Sequence, residues 1–185
     1  MVFILIMKIE EIEKTEETQP EPEEIKETEE IKETTINNSI HSDEKELSKV
    51  TVLSNDPFVA TYPNIISDEE CEHFIKISKG SLKRSLVSND SKGYESPGRT
   101  SANTWIRHDH DEIVKKVGER IAKIVNIPIE NAEQFQVIHY DKNQQYRQHY
   151  DSWPHDGSEK TIRCMRWGGS RLKTALCYLN TVSKG

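Results

Sequence analysis

Apolar residues recur along this chain in two rhythms, and a long polar stretch shows neither. Cys71, Phe74, Ile75 and Ile77 fall on one side of a helix that starts at Ser67. Ser67 with Glu70 three residues on forms a capping box, which predicts a helix over about 67–79. Ile113, Val114, Val117, Ile121, Ile124 and Val125 repeat the helical spacing and predict a second helix over about 111–125, with Pro128 just beyond its end. Period-two alternation in Gln134–Tyr140 predicts a strand. Further strands are expected over 57–63, 146–151 and 172–179. The polar run from Ser85 to Arg99, with Asn89, Asp90, Gly93, Pro97 and Gly98, reads as a mobile surface loop. Helices first and strands later predict an α+β, mainly β domain with supporting N-terminal helices.

Residues 8–50 carry no core-forming pattern. Glu-Glu-Ile-Lys-Glu-Thr occurs at 23–28 and again, unchanged, at 29–34. The repeat is too short for a solenoid unit, and the segment has too little apolar surface to offset its ordering entropy. Residues 1–50 are therefore expected to be a disordered acidic tail, either purely solvating or docking a basic partner. They hold 15 Asp/Glu against 6 Lys, a net of −9, which leaves residues 51–185 with 17 against 19 and a net of +2. The total charge of −7 thus belongs to the tail, and the folded part is nearly neutral. No strongly basic aromatic stripe is present, which argues against nucleic acid as partner. The opening Met1–Met7 run is apolar but far short of the roughly 20 residues that span a bilayer. It lacks the basic flank and cleavage site of a signal peptide. It reads as a sticky end, a misplaced start or the remnant of an anchor. Cys71, Cys164 and Cys177 show no metal or disulfide-framework spacing; three free thiols, or one bridge with one free thiol, both fit.

The candidate chemistry lies in Tyr140–Asp151. On a strand, His149 and Asp151 would share a face, and an imidazole beside a carboxylate is two thirds of the facial triad that holds Fe(II) with positions left open. His-x-Asp alone is weak, but its surroundings are not. Gln136-Val137-Ile138-His139-Tyr140 followed by Asn143-Gln144-Gln145-Tyr146-Arg147-Gln148-His149-Tyr150-Asp151 resembles the prolyl 4-hydroxylase pattern Gln-Val-x-x-Tyr, then Gly-Gln-x-Tyr-x-x-His-x-Asp. Arg99-Thr100-Ser101-Ala102-Asn103-Thr104-Trp105 resembles that family's Arg-Thr-Ser-x-Gly-Thr-Trp. Gly168-Gly169-Ser170-Arg171-Leu172-Lys173-Thr174-Ala175-Leu176-Cys177-Tyr178-Leu179 resembles its Gly-Gly-x-Arg-x-x-Thr-x-Leu-x-Tyr-Leu. The likeness covers about 57–182.

The resemblance implies a double-stranded β-helix (a cupin-like jelly roll) over 51–185. It further implies a dioxygenase that uses Fe(II), 2-oxoglutarate and L-ascorbate to hydroxylate a proline-containing peptide. By position, His149 and Asp151 would hold iron, and Tyr140 and Thr174 would meet 2-oxoglutarate. Tyr146, Arg171, Arg99 and Trp105 would meet the peptide. Plainer roles stand beside these: Tyr140 and Tyr178 as core aromatics, Trp105 as packing under the second helix, and Arg171 paired with a surface carboxylate. Asn103 and Asn143 replace family glycines at expected turns, where Asn tolerates a left-handed backbone.

His108, Asp109, His110, Asp111 and Glu112 suggest either a metal cluster or a helix start favoured by the dipole. His155 and Asp156 read as loop residues. The family's third iron ligand and its 2-oxoglutarate-binding Lys would follow a Gly-Gly-x-Thr-x-Phe block that begins where this sequence ends. No residue here aligns with either. The chain is accordingly expected to be the N-terminal part of such a domain, with weak iron binding and no turnover by itself. The alternative function is an inactive remnant serving as a binding module.

Overall fold

A computed structural model describes residues 2–8 (backbone only), 50–89, 93–166 and 168–182. Two compact units are present, residues 12–65 and residues 1–11 with 66–185. In the first, β2 (Thr51–Asn55) and β3 (Phe58–Thr61) form an antiparallel hairpin with a register shift between Val52 and Ser54. The sequence reading placed one strand here and missed its partner. Residues 9–49, which hold most of the expected acidic tail, lie outside the described residues.

The larger unit is α+β. Its five-stranded sheet runs β4 (Lys83–Arg84), β5 (Ala102–Ile106), β6 (Phe135–Tyr140), β1 (Val2–Lys8), β7 (Thr174–Tyr178). The β4–β5 and β5–β6 pairs are antiparallel, whereas β1 pairs parallel with both β6 and β7. Val2–Lys8, a run with no element expected from its pattern, is a strand here, because a short apolar run can be held by neighbours on both edges.

Helix α1 (Asp68–Ser78) begins as its capping box predicts: the Glu70 amide donates to Ser67 Oγ at 3.2 Å and the Ser67 amide to Glu70 Oε2 at 3.0 Å. Helix α2 (Glu112–Val125) is capped by Asp111, whose Oδ1 accepts from the Val114 amide at 2.9 Å, and it ends on left-handed Asn126. The His108–Glu112 cluster is thus a helix start: Asp111 Oδ2 also meets His73 Nε2 at 2.7 Å, and Arg107 donates twice to Asp109 at 2.8 Å.

Phe74, Val114, Val117, Phe135 and Val137 are fully buried, with Phe74 and Phe135 edge to face at 5.2 Å. Each such side chain contributes about 1.5–3 kcal/mol through burial. Gly118 lets α2 lie close to β6, since a Cβ there would stand 3.3 Å from Ile129 Cδ1 and 3.6 Å from the Phe135 ring. This packing fixes one face of β6 and leaves Gln136, Ile138 and Tyr140 for the other. No helix among the described residues is long and apolar enough to cross a membrane. Cys71, Cys164 and Cys177 are all free thiols.

Candidate active site

The second face of the sheet floors an open cleft of about 890 Å³. Strand alternation sets the floor: Asn103 and Trp105 from β5, Gln136, Ile138 and Tyr140 from β6, and Thr174 and Leu176 from β7. Register aligns Asn103 with Ile138 and Trp105 with Gln136. Trp105 is half exposed on this face, so it is a cleft residue and not packing beneath α2. Asn103, expected at a turn, lies within β5, where the extended strand takes Asn without strain. Asn143 does take the left-handed backbone, at φ 65°.

The segment carrying His149 and Asp151 is not the strand expected over 146–151. Pairing reaches only as far as Tyr146, which bridges Arg99; the Thr100 amide donates to Gln145 O and the Arg147 amide to Gly98 O, both at 2.8 Å. Beyond that no strand lies alongside among the described residues, and the chain bends. The bend still brings the two side chains together, with His149 Nε2 3.2 Å from Asp151 Oδ1. His149 Nδ1 lies 2.8 Å from Arg147 O. A carbonyl only accepts, so Nδ1 carries a hydrogen, and Nε2 is the ring nitrogen turned to the carboxylate. Thr174 donates to the other oxygen, Asp151 Oδ2, at 2.8 Å.

Two donors in adjacent positions on a metal, each about 2.1 Å from it, stand roughly 3 Å apart. The His149–Asp151 separation fits that arrangement, and a nitrogen–oxygen donor pair suits Fe(II) better than a thiolate set would. The residues present offer two donor groups that could serve so; among the described residues no group of three or more His, Cys, Asp or Glu forms a metal cluster. His155, the spare imidazole, is exposed and meets Ser170 Oγ at 2.9 Å.

Tyr146 stacks on the His149 ring at 3.6 Å and 21°, and Arg99 places its guanidinium 4.5 Å from the Tyr146 ring centre. Arg99 is buried, donates to Leu86 O at 2.9 Å, and has its pKa lowered chiefly by burial. Burial likewise raises the Tyr140 phenol, which keeps it a hydroxyl donor at neutral pH. Arg171 does pair with a carboxylate, donating to Glu133 through Nε at 2.5 Å and Nη2 at 2.7 Å, while Nη1 reaches Asp151 O at 3.0 Å. It also lies 4.4 Å over the Trp153 ring.

Arg99, Trp105, Tyr140, Tyr146, His149, Asp151, Arg171 and Thr174 all line the one cleft. Sequence reasoning missed Glu133 and Trp153, which fix Arg171 and stand outside the motif blocks. It also missed α3 (Glu159–Met165), which sends Lys160, Arg163 and Cys164 to the wall.

Three proteins of Arabidopsis thaliana share this stretch. Probable prolyl 4-hydroxylase 7 is 39% identical over 140 residues, 75% of this chain and 42% of its own length. Prolyl 4-hydroxylase 5 is 38% identical over 138 residues, 74% of this chain and 45% of its own. Probable prolyl 4-hydroxylase 10 is 31% identical over 153 residues, 82% and 51%. The chain belongs to the prolyl 4-hydroxylase family. It spans about half the length of the curated relatives it matches. No protein-family model matches it. The cleft is where the three motif blocks meet.

Proposed function

We propose that the protein carrying this chain is an Fe(II)- and 2-oxoglutarate-dependent dioxygenase that hydroxylates peptidyl proline and is sustained by ascorbate. The observation that carries the reading is the facing pair His149–Asp151, 3.2 Å apart on the floor of a cleft that also gathers the other six motif residues. Residues 51–185 belong, in this reading, to an oxygenase domain of double-stranded β-helix type, whose sheet also takes in the strand Val2–Lys8.

His149 and Asp151 would hold the metal. The Arg147 carbonyl takes the Nδ1 hydrogen of the imidazole, Tyr146 supports the ring's face, and Thr174 donates to the Asp151 carboxylate and orients it. Tyr140 donates its hydroxyl to a carboxylate of the co-substrate. Arg99, Trp105, Tyr146 and Arg171 border the space left for the peptide and hold it in register. When bound, iron and 2-oxoglutarate supply the oxygen chemistry needed to hydroxylate an unactivated ring carbon.

The test is incubation of the full-length protein that carries this chain with a proline-rich peptide, Fe(II), 2-oxoglutarate and ascorbate, followed by mass spectrometry of the peptide. The expected product carries one added oxygen, with succinate in equal amount, and His149→Ala and Asp151→Ala abolish it. Near-normal turnover by His149→Ala would overturn the metal assignment.

A further inference from the structure

The cleft is strongly cationic. Lys83 and Arg84 from β4, Arg99, Lys160 and Arg163 from α3, and Arg171 line it, while Asp151 is the only lining carboxylate among the described residues. Leaving Arg163 aside and allowing also for Glu133, which pairs with Arg171, five cations against two carboxylates leave a formal excess of three among the described residues. The ion pairs among the described residues do not include Lys83, Arg84, Arg99 or Lys160. Arg84 is held by main-chain oxygens, donating to Ser101 O at 3.2 Å, to Ser96 O at 3.2 Å and to Arg99 O, and these leave its full charge in place.

This excess does not match the proposed co-substrate. Fe(II) and the 2-oxoglutarate dianion cancel in formal charge, so binding both leaves the cations as they were. Nor does the whole chain share it, since its net charge is −7. A low-dielectric wall carrying one sign of charge selects the opposite sign in whatever lies along it.

Building on the hydroxylase reading, we infer that the preferred substrate is an acidic peptide, with Glu or Asp on either side of the target proline, held by Lys83 on one wall and Lys160 on the other. Lys83 is exposed and Lys160 half-buried, so both are available to side chains of a bound strand. The chain's own Gln19-Pro20-Glu21-Pro22-Glu23 is a sequence of this class and serves as a synthetic probe.

With the full-length protein that carries this chain, the experiment compares that peptide with versions in which each Glu is replaced by Gln or by Lys. It measures dissociation constants by fluorescence anisotropy and hydroxylation by mass spectrometry. The acidic peptide is expected to bind about tenfold more tightly than the Gln version, and the Lys version more weakly still. Lys83→Glu and Lys160→Glu should each reduce the acidic preference about two- to fivefold, whereas Lys116→Glu on α2, outside the cleft, should not. Raising salt from about 0.05 to 0.5 M should erase most of the preference, because it shortens the Debye length to a few ångströms. Unaltered thermal melting of the two variants shows that they remain folded. Equal affinity for all three peptides overturns the inference. So does a preference unchanged by the Lys variants, or variants that change 2-oxoglutarate affinity alone. Failure to hydroxylate any peptide, with the binding preference intact, overturns the hydroxylase reading and leaves the acidic-peptide inference standing.

Discussion

The Thr174 hydroxyl is given to Asp151 Oδ2 at 2.8 Å, a contact beside the role toward the co-substrate that the motif implies. Partners of this kind typically contribute ten- to a hundredfold in metal affinity. Thr174→Val, which keeps the shape and loses the donor, should weaken Mn(II) or Fe(II) binding about tenfold, measured by calorimetry or electron paramagnetic resonance. Thr174→Ser should restore most of it. Unchanged metal affinity in Thr174→Val would leave the hydroxyl without an orienting role. Glu133 acts on Arg171 in the same way. Glu133→Gln removes the charge from a two-point contact at 2.5 and 2.7 Å, and a loss of about 1–2 kcal/mol, some five- to thirtyfold, should fall on peptide KM while metal affinity holds. Cys177 has its thiol pushed up to about 12 by burial, so the nucleophilic thiolate is scarce at neutral pH. Iodoacetamide at about pH 8 should label it much more slowly in the native protein than after unfolding; equal rates would contradict the raised pKa.

At the scale of elements, what could be read from sequence was what repeats or caps. Both long helices were legible because their apolar positions keep helical spacing and their first residues are capping groups. Strands β6 and β7 were legible through alternation. Strand β5 was not: Ala102-Asn103-Thr104-Trp105-Ile106 has little apolar pattern, and it is a strand because β6 pairs with it. The strand expected over 146–151 failed for the converse reason, its pairing running out at Tyr146. His149 and Asp151 were nonetheless found, since the motif specifies them whatever the backbone does, whereas Glu133 and Lys160 reach the cleft only through tertiary placement.

Glu70 ties two elements together, accepting from Arg120 at 2.7 and 2.9 Å while completing the cap of α1. Burial alone would raise its pKa, but the Arg120 contact and the Ser67 amide outweigh this and lower it below 4.5. A carboxyl lowered on folding stabilises fully above its unfolded pKa and loses that contribution as pH falls through the folded value. Glu70→Gln should therefore cost about 1–2 kcal/mol at pH 7, and its melting-temperature deficit should narrow as pH falls from about 4.5 towards 3. A deficit that stays constant with pH would mean that the charge of Glu70 contributes nothing.

The whole sheet depends on a segment that sequence alone left without an element. Strand β1 pairs with β6 from Phe3↔Phe135 to Lys8↔Tyr140 and with β7 from Val2↔Thr174 to Ile6↔Tyr178. Neighbouring strands sit about 4.8 Å apart, so the strand between them holds β6 and β7 about 10 Å apart and thereby sets the width of the cleft floor from Tyr140 to Thr174. Removing residues 2–8 would leave two facing rows of unpaired amides and carbonyls, edges prone to pair with other chains. The expected result is a lower melting temperature, concentration-dependent association in light scattering, and metal binding weakened more than in Thr174→Val, because Thr174 itself lies on the freed edge. Supplying residues 1–8 as a separate peptide should recover part of the lost stability by re-forming the parallel pairs. If the truncated protein melts as before and stays monomeric, the spacing of β6 and β7 is set without β1, and the cleft geometry rests on the β5–β6 pair and the α2 packing alone.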